Sequence, residues 1–150
     1  MPDIISNSSC LISLDNIRMI SVLQELYGNI FICEEVYKEY GKPVEPWIKI
    51  CRVRDRKYLN IMKNFIDEGE SGTIALSLEL ENSIMILDDL KARKIAKKLN
   101  LKFTGLLGVM LRAKEMKIIN SISEVLTKLK SANFRISEPL EAEVLRLADE

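Results

Sequence analysis

The sequence contains no histidine, and that absence removes the commonest general base, the Ser-His and Cys-His nucleophile pairs, and the usual ligand for zinc or copper. Acid/base or metal chemistry must therefore rest on Asp, Glu, Lys or Tyr. Cysteine is scarce: Cys10, Cys33 and Cys51 are an odd number at wide spacing with no Cys-x-x-Cys pair. This argues against a disulfide framework and a thiolate zinc site, and for small buried side chains in a reducing compartment. Glycine and proline number only 6 and 4, so no flexible linker or disordered tail is written into the chain. No apolar run approaches the roughly 20 residues a membrane-spanning helix needs, and Met1-Pro2-Asp3-Ile4 lacks a basic region followed by an apolar core. A cytoplasmic protein with no membrane association is expected.

What is present suits a single domain over residues 1–150. The chain is 47% hydrophobic, and at this length folding buries most of the surface that the unfolded chain exposes. Acidic and basic residues balance at 22 each, but not locally. Between Lys91 and Lys117 nine basic residues stand against Glu115 alone. Such segregation attracts a polyanion to one face of a neutral molecule, and Lys94, Lys97, Lys98 and Lys102 are the candidate phosphate contacts. The alternative for each lysine is a solvated helix face.

Strand and helix patterns alternate. Asp3-Ile4-Ile5-Ser6-Asn7-Ser8-Ser9 reads as a short buried strand running into small polar residues. Leu11, Leu14, Ile17, Ile20, Leu23 and Leu26 recur at three-residue steps and predict a helix ended by Gly28. Ile30 to Cys33 predicts a second strand and Glu34 to Tyr40 a second helix. The segment broken by Pro43, Pro46 and Trp47, running to Arg52, Arg54, Arg56 and Lys57, is expected to form short helices. Asp67 to Thr73 looks like an acidic helix start, Ser83 to Leu87 an apolar strand ending at Asp88-Asp89, Lys91 to Leu99 a helix, and Leu101 to Phe103 a last strand before Thr104-Gly105 open another helix. Ser121-x-x-Glu124 is a capping box, and Ser137-Glu138-Pro139 starts a terminal helix. The expected class is α/β, a parallel sheet with helices on both faces.

In an open parallel sheet, ligands bind outside the carboxyl ends of the strands. Those positions here are polar. The first strand delivers Asn7 and Ser8, the second leads toward Glu35 and Glu39, a helix start carries Glu70, and the third strand ends at Asp88-Asp89. Oxygen donors converging from separate segments suit Mg or Mn, because a cation relieves the repulsion among the carboxylates. As a structural alternative, an Asp at a strand end also caps helices and closes turns.

These stretches resemble a PIN domain, in the branch of nucleic-acid-binding or toxin-like ribonucleases. The resemblance runs through Ile5-Ser6-Asn7-Ser8-Ser9, Glu34-Glu35-Val36-Tyr37-Lys38-Glu39, Gly69-Glu70-Ser71-Gly72-Thr73, Leu87-Asp88-Asp89-Leu90-Lys91-Ala92-Arg93 and Thr104-Gly105-Leu106-Leu107-Gly108, nearly the whole chain. It implies a three-layer α/β/α fold and metal-dependent endoribonuclease activity, with Glu39, Glu70 and Asp88 or Asp89 as the acids around Mg or Mn. Where an active member usually has Asp, Asn7 offers an amide oxygen without charge, which implies weakened activity. Ser8 and Ser9 add a hydroxyl ligand, bind phosphate, or serve only the turn. The resemblance also implies RNA as partner, a homodimer, and a small antitoxin protein if the chain is the toxin of a pair.

Three other readings compete. A phosphorylation receiver would use Thr104 and a nearby Lys but needs an acidic pair after the first strand, which this chain lacks. Gly105-x-x-Gly108 has neither dinucleotide spacing nor a phosphate-loop Gly-Lys-Ser/Thr. The serious rival is a non-catalytic PIN-like module that binds RNA or a protein partner.

Overall fold

The computed structural model describes residues 1–150. Five strands, β1 (Asp3–Ser6), β2 (Ile30–Cys33), β3 (Ile48–Cys51), β4 (Ser83–Ile86) and β5 (Lys102–Thr104), form one sheet in the order β3-β2-β1-β4-β5. Every pairing is parallel; β1 sets Ile5 opposite Phe31 of β2 and Met85 of β4. Parallel neighbours require crossover connections, which six of the nine helices supply, the last three following β5; together the helices cover both faces. The architecture is the three-layer α/β/α class expected from the alternating pattern. Strand order reverses beside β1, since the chain runs outward to β2 and β3 and then returns to β4 and β5 on the other side. That reversal opens a crevice at the carboxyl ends of β1 and β4.

Two expectations are corrected. The predicted helix through Leu26 is two helices, α1 (Ser8–Asn16) and α2 (Ser21–Tyr27). A strict three-residue step falls behind the 3.6-residue turn by about 60° each time, so its apolar stripe winds off any one face. The chain breaks where the drift is largest to absorb: Arg18 takes a left-handed φ of 58°. Met19 N–H reaches back to Leu14 O at 2.8 Å and Arg18 N–H to Asp15 O at 3.0 Å, a Schellman closure with arginine where glycine is usual. The segment read as short helices instead holds β3, followed by α4 (Lys57–Met62). Ile48 is buried but Ile50 is 43% exposed, so the alternation that marks a half-buried strand is nearly invisible. This edge strand is defined by its register on β2, Ile48 opposite Ile30 and Cys51 opposite Cys33.

The remaining helices are α3 (Glu34–Tyr40), α5 (Glu68–Glu79), α6 (Leu90–Lys98), α7 (Leu106–Glu115), α8 (Ile122–Ser131) and α9 (Glu138–Leu147). Helix α5 lies against β1, β2 and β4 and also packs on α3 and α4, and a helix surrounded this way must be slim. Its composition meets that need: Gly69, Ser71, Gly72, Thr73, Ala75 and Ser77 are all buried. Two hydroxyls bond back one turn, Ser71 Oγ donating to Asp67 O and Thr73 Oγ1 to Gly69 O, while Ser77 Oγ meets Ser83 Oγ of β4 at 3.1 Å. Ser121 caps α8 by accepting from Glu124 N–H at 3.2 Å, and Ser137 caps α9 with Pro139 in its first turn. The reciprocal capping box that closes both ways is at α5, between Asp67 and Glu70.

Candidate active site

The crevice edge is built from helix N-termini. The crossover helices α1, α5 and α6 begin at the carboxyl edge, and α7, which follows β5, begins there too, its Leu106 N–H donating to Asp88. Their unpaired N–H groups and positive dipole ends gather there, and the acids of the sequence pattern answer them.

Asn7 follows β1, is 4% exposed, and caps α1 by accepting from Cys10 N–H at 3.0 Å. Ser8 donates its hydroxyl to Glu39 Oε1 at 2.8 Å, tying α3 to α1, while Ser9 is exposed. The Glu39 carboxylate also sits directly over the Gly69 Cα, in space that any side chain there would fill. Burial raises the Glu39 pKa above the usual carboxylate range; the Ser8 bond opposes this, and the charges of Asp67 and Glu68 add to it. Glu70 is pushed up to about 7, first by burial and then by the charges of Asp67 and Asp89. Its carboxylate accepts from Asp67 N–H at 3.3 Å, while Asp67 accepts from Glu70 N–H at 2.8 Å.

Asp88 accepts from Leu106 N–H at the start of α7, 3.2 Å away, and pairs with Arg93 at 3.5 Å. Desolvation raises its pKa, against the pull of the Leu106 N–H and Arg93. Its side chain keeps 40% of its surface in solvent, so screening limits what that shift costs the fold. Asp89 caps α6, accepting from Ala92 N–H at 2.9 Å.

The predicted ligands therefore share one edge, but they stand as neighbouring pairs. No group of three or more Asp, Glu or Cys side chains is close enough, as arranged, to hold a metal ion. Each is already engaged: Asn7 and Asp89 as caps, Glu70 in the capping box, Asp88 with Leu106 N–H and Arg93, Glu39 with Ser8. The donor chemistry nevertheless fits a hard cation. All donors are oxygen, and three carboxyls carry raised pKa values, the condition that a divalent ion relieves.

Lys94, Lys97, Lys98 and Lys102 are exposed and in no ion pair. They are not brought to the crevice as a group. Lys97 and Lys98 close the last turn of α6, about 12 Å along the axis from its Asp89 cap, and Lys102 opens β5 at the amino edge of the sheet.

Three participants escaped the sequence pattern. Gly69 provides the seat for Glu39, and its signal was the Gly preceding Glu70. Asp67 contributes the charge that lifts Glu70. Arg93 brings a cation into the acidic edge: its Nε donates to Leu87 O at 2.6 Å, and its guanidinium lies 5.0 Å from the centre of the Phe103 ring. It was hidden inside the basic run, where its spacing of five from Asp88 was the available clue.

Glu35 does not join the site. Burial pushes its carboxyl up, but the Arg56 guanidinium 2.9 Å away outweighs this and holds the pKa below the ordinary range.

A family model described as PIN domain matches residues 3–150. No curated protein matches the chain. No helix is long and apolar enough to cross a membrane.

Proposed function

Because the chain belongs to the PIN domain family, a nuclease-type family whose fold suggests nucleic-acid binding, we propose that residues 1–150 act as one domain and as a metal-dependent endoribonuclease. The observation that supports this most is the placement of Glu39, Glu70, Asp88 and Asp89, carried by three separate segments, along the one carboxyl edge where strand order reverses. In this reading those four carboxylates would hold Mg or Mn, and Asn7 would offer its amide oxygen. Bound there, such an ion would activate water and stabilise charge on phosphoryl oxygens.

The chain's own contribution is positional. Ser8 and the Gly69 backbone fix the Glu39 carboxylate, the Asp67–Glu70 box fixes the start of α5, and four helix N-termini give the edge a positive backbone field toward phosphate. Activity is weak and Mn-favoured in this reading. Asn7 brings no charge, and ion binding must first loosen caps that each contribute about 1 kcal/mol. A toxin role beside a small antitoxin, a homodimeric state and a cytoplasmic setting belong to the same proposal.

A second reading, a non-catalytic RNA-binding or protein-interaction module, is favoured by the engagement of every candidate ligand as a helix cap or bonded neighbour. Cleavage of single-stranded RNA across a manganese titration tests the two. Metal-dependent product that disappears in Glu70→Gln supports the nuclease; RNA binding without cleavage at any concentration supports the module.

A further inference from the structure

A cavity of about 490 Å³ opens beside the crevice, walled by α1, α7 and α9 and by the α8–α9 link. This is within the roughly 300–1,000 Å³ typical of small-ligand sites. Asp88 and Arg93 belong to both the cavity and the carboxylate edge, so the two are continuous. On α9, Leu140, Val144 and Leu147 share one helical face. Val144 is buried, but Leu140 and Leu147 remain 48% and 57% exposed, and all three line the cavity together with Phe134. The helix thus turns an incompletely covered apolar face toward this space.

The charges on the lining decide what covers it. Of the two acids, Asp88 is paired with Arg93 and Glu143 with Arg146 at 2.6 Å. Arg135 is exposed, lines the cavity, and enters no ion pair or side-chain hydrogen bond. Arg93 is pinned by Leu87 O, Asp88 and the Phe103 ring, yet a guanidinium has five N–H donors and these contacts use two. An apolar wall beside one free and one half-committed arginine is complementary to a flat apolar group that carries phosphate.

We infer that this cavity is a nucleotide subsite that receives one unpaired base of an RNA strand whose phosphate lies at the carboxylate edge, with the base against Phe134 and Leu147 and flanking phosphates on Arg93 and Arg135. The inference rests on the RNA-directed function proposed above and adds to it the place of one base, which must be unpaired because a paired base would have to leave its stack to enter.

Fluorescence polarisation in excess chelator, where no cleavage intervenes, tests it with three labelled probes of equal length: a single-stranded oligoribonucleotide, an abasic ribose-phosphate strand, and a duplex. The single strand is expected to bind about tenfold more tightly than either of the others. Leu147→Glu and Arg135→Gln, both at exposed positions and each checked by its melting temperature, should erase that preference. Equal binding of all three probes, or a preference that survives both variants, overturns the subsite while leaving RNA binding standing; a cavity occupied by a protein segment would give this result. No binding of any probe refutes the RNA-directed function itself.

Discussion

Replacing Gly69 with Ala places a methyl carbon on the Glu39 carboxylate, whereas replacing Gly72 three residues later places one 2.5 Å from Cys33 Sγ, 2.9 Å from Glu35 Oε1 and 3.3 Å from Cys33 Cβ. Both glycines are buried in α5, and in both cases the helix gains about 0.5–1 kcal/mol from the change to alanine. The neighbours differ. The Glu39 carboxylate is the end of a long side chain at the protein surface and can swing away, losing the Ser8 bond at a cost of about 0.5–1.5 kcal/mol. Cys33 is fully buried at the end of β2 with a short, rigid side chain, so overpacking there costs about 1–3 kcal/mol. Gly69→Ala should therefore leave the melting temperature nearly unchanged. Less the helix gain, the net loss in Gly72→Ala is about 0.5–2 kcal/mol, which should lower the melting temperature by about 1–8 °C, at about 2–4 °C per kcal/mol for a chain of this size. Function should sort the other way: Gly69→Ala removes Glu39 from its seat and with it manganese-dependent stabilisation and cleavage. Calorimetric melting with and without manganese reads both effects. A Gly69→Ala protein that melts as low as Gly72→Ala, or one that keeps its full response to manganese, would refute the packing argument.

Asn7→Ala removes the α1 cap and should cost about 1 kcal/mol in urea unfolding; no loss would mean that the Cys10 N–H finds another acceptor. Asn7→Asp keeps the cap but adds charge beside raised carboxyls, so it should melt lower than the native protein in chelator and recover with manganese; melting indifferent to metal in both proteins would confine Asn7 to capping. Glu70, raised to about 7 in the fold, binds its proton more tightly folded than unfolded, so it contributes stability below about pH 4.5 that is lost as pH rises toward 7. Glu70→Gln should flatten that decline and be more stable at pH 8 by about 1–2 kcal/mol, the full shift being reduced by solvent screening; parallel stability curves would contradict this. Changing Lys94, Lys97, Lys98 and Lys102 together to Gln should lower the slope of log affinity for single-stranded RNA against log salt by about 3 if all four meet phosphate, and an unchanged slope would leave them as a solvated face.

Much of the fold was legible because local chemistry and tertiary demand agree. Ile30–Cys33 and Ser83–Ile86 are apolar strands between turn-forming residues, Gly41 closes α3 with a left-handed φ of 74°, and the basic face of α6 opposes its buried Ala92 and Ala96. The failures differ in cause. β3 exists through its pairing with β2, which no local pattern records, whereas the break at Arg18 was foreshadowed by the three-residue step, whose drift no single helix face can follow. The candidate site was legible as residue types at strand ends. Its geometry was not: that Asn7, Glu70, Asp89 and Asp88 are tied to the N-termini of α1, α5, α6 and α7, that Gly69 seats Glu39, and that Arg93 leans into the acidic edge all depend on side-chain directions that spacing leaves open.

The central claim is that this carboxylate edge cleaves RNA with the help of a divalent ion. Its most direct test is the rate of cleavage of a single-stranded RNA over a manganese titration, native protein beside Glu70→Gln, each shown by its melt to be folded at the assay temperature. Weak cleavage that rises with manganese and falls at least about 100-fold in the variant is the predicted result; no cleavage by the native protein at any concentration, or equal cleavage by both, would contradict it.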